Sequence, residues 1–125
     1  MIVGVGVDVV EIPRLRKILA RYGERFAQRV FTPEEREYCA AHTDPAPHYA
    51  VRFAAKEALF KALGTGWARG VTWQDVEVRR KAPGAPVLEI KGEAAKLSGT
   101  LRTHSIHLSL SHSENSAIAL VILEG

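Results

Sequence analysis

An acid stands in an apolar run where nothing local requires one. Asp8 follows Gly4-Val5-Gly6-Val7 and precedes Val9-Val10. A carboxylate is costly to bury unless it is paired, hydrogen-bonded or bound to a cation. Side chains alternate across a strand, so Val3, Val5, Val7 and Val9 share one face and Gly4, Gly6 and Asp8 the other. The acid therefore projects from a face stripped bare by two glycines. That pattern fits a metal ligand, a buried ion pair or a strand-end residue bonded to a turn. It is not a dinucleotide fingerprint, which would need Gly where Val9 stands, and no GxxxxGK[ST] phosphate loop occurs.

A second group of chemical residues runs from Arg52 to Gly66. Phe53, Glu57 and Lys61 recur every four residues and share one helix face. Small residues at Ala54, Ala55, Ala58 and Ala62 let such a helix pack closely. Arg52, Lys61 and the amides of Gly64-Thr65-Gly66 suit phosphates, because free backbone N–H groups bind anions. The same Glu57–Lys61 spacing is also an ordinary helix pair worth ~0.2–0.5 kcal/mol. A third group, Leu108-Ser109-Leu110-Ser111-His112, ends a strand on polar residues that face a ligand or satisfy the fold. No G-x-S-x-G elbow accompanies it, and a triad depends on geometry rather than adjacency. His107 and His112 are too isolated for a zinc site.

Charge is concentrated early in the chain. Between Arg14 and Arg29 there are six bases (Arg14, Arg16, Lys17, Arg21, Arg25, Arg29) against one acid, Glu24. At about 100° per residue, Arg14, Arg21 and Arg25 fall in a narrow wedge beside Ile18 if their helix is continuous. Such a row suits an acidic helical partner or a phosphate backbone. Aromatic residues are only 7% and no RNP-type motif occurs, so stacking recognition of single strands lacks support. A nucleic-acid-binding module rests on arginine density alone.

The elements that must position these groups follow from periodicity. Ile2 to Val10 reads as a strand, and Pro13 suits the first turn of a helix whose stripe is Leu15, Ile18, Leu19, Tyr22 and Phe26. Gly23 weakens or breaks that helix. Thr32-Pro33-Glu34-Glu35 is a capping box opening a helix to about Ala41. His48 to Leu63 is the longest helix, stopped by Gly64. Strands follow at Trp73–Arg79 and Val87–Lys91 around an Ala82–Pro86 turn, then a short helix at Gly92–Leu97. Ile106–Ser111 alternates, and the nearly continuous apolar run Ala117–Leu123 reads as a central strand. The fold class is α+β, a mainly antiparallel sheet packed against a long central helix.

The 125 residues suit one domain, 1–125. Their 46% apolar content excludes a disordered chain. Net charge is 17 − 14 = +3, so the local basic face matters more than the total. Cys39 is the one cysteine, which forbids an intrachain disulfide and fits a reducing compartment. There is no run of about 20 apolar residues to span a membrane and no charged n-region before Ile2-Val3, so the expected location is cytoplasmic. A large cleft in so short a chain would borrow a wall from a second subunit.

Taken together and in order, Gly4-Val5-Gly6-Val7-Asp8-Val9-Val10-Glu11, the Arg52–Gly66 segment with Lys56-Glu57-Ala58, and Leu108-Ser109-Leu110-Ser111-His112 resemble the holo-acyl-carrier-protein synthase family. These are the small, single-domain 4′-phosphopantetheinyl transferases of bacteria. Phe31-Thr32-Pro33-Glu34-Glu35 and Trp73-Gln74-Asp75-Val76-Glu77-Val78 look like family segments too, and the resemblance covers essentially the whole chain.

The resemblance implies that phosphopantetheine moves from coenzyme A to a serine of acyl carrier protein, releasing adenosine 3′,5′-bisphosphate, in fatty acid biosynthesis. It implies Mg²⁺ on Asp8 and Glu57, with Lys61 on the pyrophosphate. Arg52, Gly64, Thr65, Gly66 and His112 would hold other parts of coenzyme A, and Gly84 and Pro86 would border the adenine. The serine proton would go to Glu57, to a metal-bound water beside it, or straight to solvent. The resemblance further implies a homotrimer with active sites between subunits, and gives Arg14, Arg21, Arg25 and Phe53 a role in docking the acidic carrier. The chain departs from the family in one place. Relatives often carry Lys or Arg before the long helix, where a 3′-phosphate would be gripped, whereas Ala40–Tyr49 offers only His42 and His48. The intact Asp8, Glu57 and Lys61 argue against a coenzyme A-binding relative that has lost activity.

Overall fold

Two glycines let the first strand lie directly on the backbone of the longest helix. A Cβ at Gly6 would overlap the Ala58 carbonyl oxygen and stand 2.8 Å from the Ala62 nitrogen, and a Cβ at Gly4 would overlap the Ala62 carbonyl oxygen. It is therefore the Gly4–Gly6–Asp8 face that meets the helix, while Val5, Val7 and Val9 stay exposed on the other side.

The computed structural model describes residues 1–64, 70–80 and 84–125. Its elements in chain order are β1 (Ile2–Glu11), α1 (Ile12–Tyr22), α2 (Glu24–Val30), α3 (Pro33–Ala40), α4 (Ala46–Leu63), a 3₁₀ turn (Trp73–Asp75), β2 (Val76–Arg80), β3 (Pro86–Ile90), α5 (Gly92–Thr100), β4 (Ser105–His112) and β5 (Ser116–Glu124). Three strands form an antiparallel sheet in the order β1-β5-β4, and β2 and β3 pair antiparallel in a separate two-stranded sheet. As its apolar run suggests, β5 is central, with Asp8 opposite Ala119 on one side and Leu110 opposite Ala119 on the other. The α+β expectation holds, with the antiparallel strands divided between two sheets. Among the described residues, no helix is long and apolar enough to cross a membrane.

The core sits on both sides of α4. Leu59, Phe60 and Leu63 pack with Val76, Val121 and Leu123, and a second cluster joins Ile12, Leu15, Phe31 and Cys39 to Tyr49 and Ala50. Burial pushes the Cys39 thiol up to about 12, so it behaves as an apolar packing residue.

The first helix breaks at Gly23 as expected, where a φ of +53° ends α1 and separates it from α2; positive φ suits a residue without a Cβ. Three local expectations are corrected. The α4 helix starts at Ala46, two residues before His48, because prolines at its first turn lack no needed donor. Trp73–Asp75 is a 3₁₀ turn rather than strand: Asp75 N donates to Thr72 O, and Thr72 and Asp75 form a capping box. Finally, α5 runs on to Thr100.

The predicted capping box opens α3: Thr32 Oγ1 accepts from Glu35 N, and Glu35 Oε1 accepts from Thr32 N at 2.9 Å. The same Glu35 carboxylate lies 2.7 Å from Lys56 Nζ, and both side chains are 0% exposed. Burial pulls the Lys56 ammonium below the ordinary lysine range, and Glu35 opposes that shift.

The glycine contact yields a stability prediction. Gly6→Ala forces a methyl into the α4 backbone and destabilises the protein by about 3 kcal/mol or more in urea unfolding. Gly99→Ala, where nothing lies within 4 Å of the added Cβ, leaves stability unchanged or raises it by up to about 1 kcal/mol. A Gly6→Ala protein as stable as the parent would contradict the packing described.

Candidate active site

Asp8 leaves β1 two residues after Gly6 on the face that touches α4, so the close approach delivers its carboxylate to the helix. Lys61 Nζ donates to Asp8 Oδ1 at 2.9 Å and to the Val7 carbonyl at 3.0 Å. The Asp8 side chain is 16% exposed and that of Lys61 54%, so the pair lies at the rim of a cleft rather than in the core. Glu57 sits one turn earlier on α4. Burial, and then the Asp8 charge, raise its affinity for a proton, and Lys61 works in the opposite direction. Two carboxylates against one ammonium leave the group short of a positive charge.

Asp8 and Glu57 line a cleft of about 330 Å³ with Glu11, Arg14, Ile18 and Phe53. That volume is at the low end for a small-molecule site. A cleft of that size has room for a small group or for one end of a longer ligand.

The donor set bears on which metal the pair could hold. Among the described residues, no three His, Cys, Asp or Glu gather around one point. Two carboxylates are fewer than the three or four protein ligands of a Zn²⁺ site and the six to eight oxygens of a Ca²⁺ site. They suit Mg²⁺, which keeps several waters and takes further oxygens from a substrate phosphate.

A second concentration of positive and titratable groups surrounds Tyr38. Arg52 is 3% exposed, and its guanidinium donates to the His48 carbonyl at 3.1 Å and lies 4.3 Å from the Tyr38 ring. Its Nε is buried with no partner among the described residues, which leaves a donor for an anionic acceptor. His42 stacks on His48 with ring centroids 3.6 Å apart, and His112 is 6.5 Å from His48. Burial, helped by His42, Arg52 and His112, holds His48 below the usual histidine range. Arg80 approaches the same tyrosine ring at 5.7 Å, and Pro86, which starts β3, is its partner in the ladder.

The structure thus brings together Asp8, Glu57 and Lys61, and separately Arg52 and His112. Gly64 takes the left-handed φ of +80° that ends α4, and Gly84 is exposed. Thr65 and Gly66 lie outside the described residues. Of the arginines, Arg14 lines the cleft beside Phe53, and Arg21 packs over Tyr22 at 5.4 Å. Arg25 lines a hollow of about 340 Å³ with Tyr22, Phe26 and Arg29. Because Gly23 breaks the helix, Arg25 belongs to α2, and the three do not form one continuous row.

Sequence reading missed the partnership of Glu35 with Lys56 and the cluster on Tyr38. The only signal for the first was a lysine among alanines on the apolar side of α4, and for the second the histidines of a loop otherwise short of bases.

Comparison with known proteins gives a consistent family. The model of the 4′-phosphopantetheinyl transferase superfamily matches residues 4–121. A holo-[acyl-carrier-protein] synthase of Koribacter versatilis is 47% identical over 124 residues, covering 99% of each chain. The crystal structure of a holo-[acyl-carrier-protein] synthase from Neisseria meningitidis superposes with a TM-score of 0.90 at 33% identity and covers 100% of both chains. That of a Bacillus anthracis holo-(acyl-carrier-protein) synthase in complex with CoA (3′,5′-ADP) superposes with a TM-score of 0.81 at 38% identity, over 98% of this chain and 96% of its own.

Proposed function

The chain belongs to the 4′-phosphopantetheinyl transferase superfamily, and we propose that it transfers phosphopantetheine from coenzyme A to a serine of apo-acyl carrier protein, with Mg²⁺, in cytoplasmic fatty acid biosynthesis. The observation that carries the reading is that Asp8 and Glu57 line one cleft, with Lys61 paired to Asp8 at its rim. In the reaction, the serine oxygen forms a bond to the phosphorus that bears the pantetheine arm. The pyrophosphate P–O bond breaks, and adenosine 3′,5′-bisphosphate leaves with the electron pair.

Asp8 and Glu57 would hold the metal, which supplies charge neutralisation and alignment for an in-line displacement. Lys61, already poised by Asp8 and the Val7 carbonyl, is long and exposed enough to turn toward the pyrophosphate as its charge builds. Glu57, which lines the cleft with Asp8, is the acceptor we assign for the serine proton. Arg52 and His112, with Gly64, Thr65 and Gly66, hold the remainder of coenzyme A, and Gly84 and Pro86 border its adenine. The orphaned Nε of Arg52 supports that assignment. Arg14 and Phe53 in the cleft, with Arg21 and Arg25 beyond it, face the acidic carrier; such charges act mainly on encounter rate and specificity.

A homotrimer follows from the same reading, and the exposed face of the sheet supports it. Val5, Val7 and Val9 on β1 and Ile118 and Leu120 on β5 are exposed side by side in register. A contiguous apolar patch of this kind marks an interaction surface, and the cleft needs a further wall.

Two experiments test these assignments. Asp8→Ala and Glu57→Ala each lower the initial rate of carrier modification by about 100-fold or more, with melting temperatures near that of the parent. Normal turnover in both would refute the metal assignment. In sedimentation equilibrium the parent behaves as a trimer and Val7→Glu as a monomer with little activity; a monomeric, active parent would refute the shared site.

A further inference from the structure

We propose that Glu35 and Lys56 are positioning residues for the reaction: their buried ion pair sets the rotation of α4 that points Glu57 and Phe53 into the cleft. The inference rests on the function proposed above. Lys56 has three ammonium hydrogens, and each has an acceptor: Glu35 Oε1 at 2.7 Å, the Val30 carbonyl at 2.8 Å and the Trp73 carbonyl at 3.1 Å. Glu35 is equally committed, accepting from Thr32 N at 2.9 Å and from Val78 N at 2.8 Å. One pair therefore ties α4 to the end of α2, the start of α3, the 3₁₀ turn and β2.

A device for stability alone would not need these residue types. A buried ion pair roughly breaks even with apolar residues of similar volume, because desolvation offsets the attraction. What an apolar pair lacks is direction. A fully satisfied ammonium admits one position of the helix backbone, whereas packed methyls tolerate sliding and rotation. Lys56 is the immediate neighbour of Glu57, so the point that is pinned is one residue from the acid that acts.

A second route leads to the cleft wall. Lys56 holds the backbone carbonyl of Trp73, and the Trp73 ring stacks on Phe53 at 5.1 Å with an interplanar angle of 28°. Phe53 lines the cleft with Glu57 and Asp8. The pair thus fixes both the helix that carries the acid and the aromatic partner that seats Phe53. Neither Glu35 nor Lys56 reaches the cleft, since both are fully buried.

The test separates position from stability. The E35Q/K56M variant removes both charges and keeps side-chain volume. It is assayed well below its melting temperature for kcat, for KM of coenzyme A and for Mn²⁺ affinity by electron paramagnetic resonance. The expected result is a folded protein with kcat about 10- to 100-fold lower, as misplacement by an ångström produces, KM for coenzyme A within about threefold, and weaker Mn²⁺ binding. A folded variant with parental kcat and Mn²⁺ affinity would overturn the proposal. If E35Q/K56M does not fold, Lys56→Arg decides by the same criteria, because it keeps the charge but displaces the donors. The parent is run first: a parent that neither transfers nor binds Mn²⁺ overturns the function itself, and the positioning role with it.

Discussion

Without a Cβ at Gly6, β1 can seat its backbone against the Ala58 carbonyl of α4, and nearly everything else about the site depends on that contact. A strand normally stands off a helix by the length of its side chains. Here the separation collapses on the face where Gly4, Gly6 and Asp8 alternate, so Asp8 arrives at the helix surface with its carboxylate beside Lys61. The alanines of α4 extend the same logic: Ala54, Ala58 and Ala62 are all buried, and larger residues there would push the strand away. The valines of β1 are thereby turned outward, which gives the sheet an apolar outer face.

Two ion pairs on one helix have opposite characters. Lys56–Glu35 is dry, complete and tied to backbone groups of four other segments. Lys61–Asp8 lies at the cleft rim, partly solvated, with a further carboxylate nearby that no ammonium fully compensates. The first is suited to holding geometry. The second is suited to exchange, because its partners can be taken over by a cation and a phosphate without leaving a buried charge behind. Both pairs stand on α4, one in the core and one at the cleft rim.

Much of this was legible in the sequence because it follows short-range rules. The Thr32–Glu35 capping box, the glycine stop of α4 and the central position of the apolar Ala117–Leu123 run all appear as read. Asp8 was recognisable because an acid on a glycine face needs a reason. What was not legible depended on distance along the chain. Glu35 satisfied a local rule completely, so nothing in its neighbourhood advertised a second role with Lys56. The 3₁₀ turn at Trp73 alternates like a strand, and only the Thr72–Asp75 capping bonds reveal it. The cluster of Arg52, His42 and His48 on Tyr38, with His112 beside His48, gathers residues from three parts of the chain, whereas the arginine row required a helix continuous through Gly23, the residue already read as its weak point, and the helix breaks there.

The proposed metal-assisted transfer at Asp8, Glu57 and Lys61 has one direct test. Intact-mass analysis of apo-acyl carrier protein incubated with this protein, coenzyme A and Mg²⁺, with and without EDTA, tests that claim most directly. The account predicts a mass gain of one phosphopantetheine on the carrier that EDTA abolishes and added Mg²⁺ restores. An unmodified carrier, or a gain indifferent to EDTA, would contradict it.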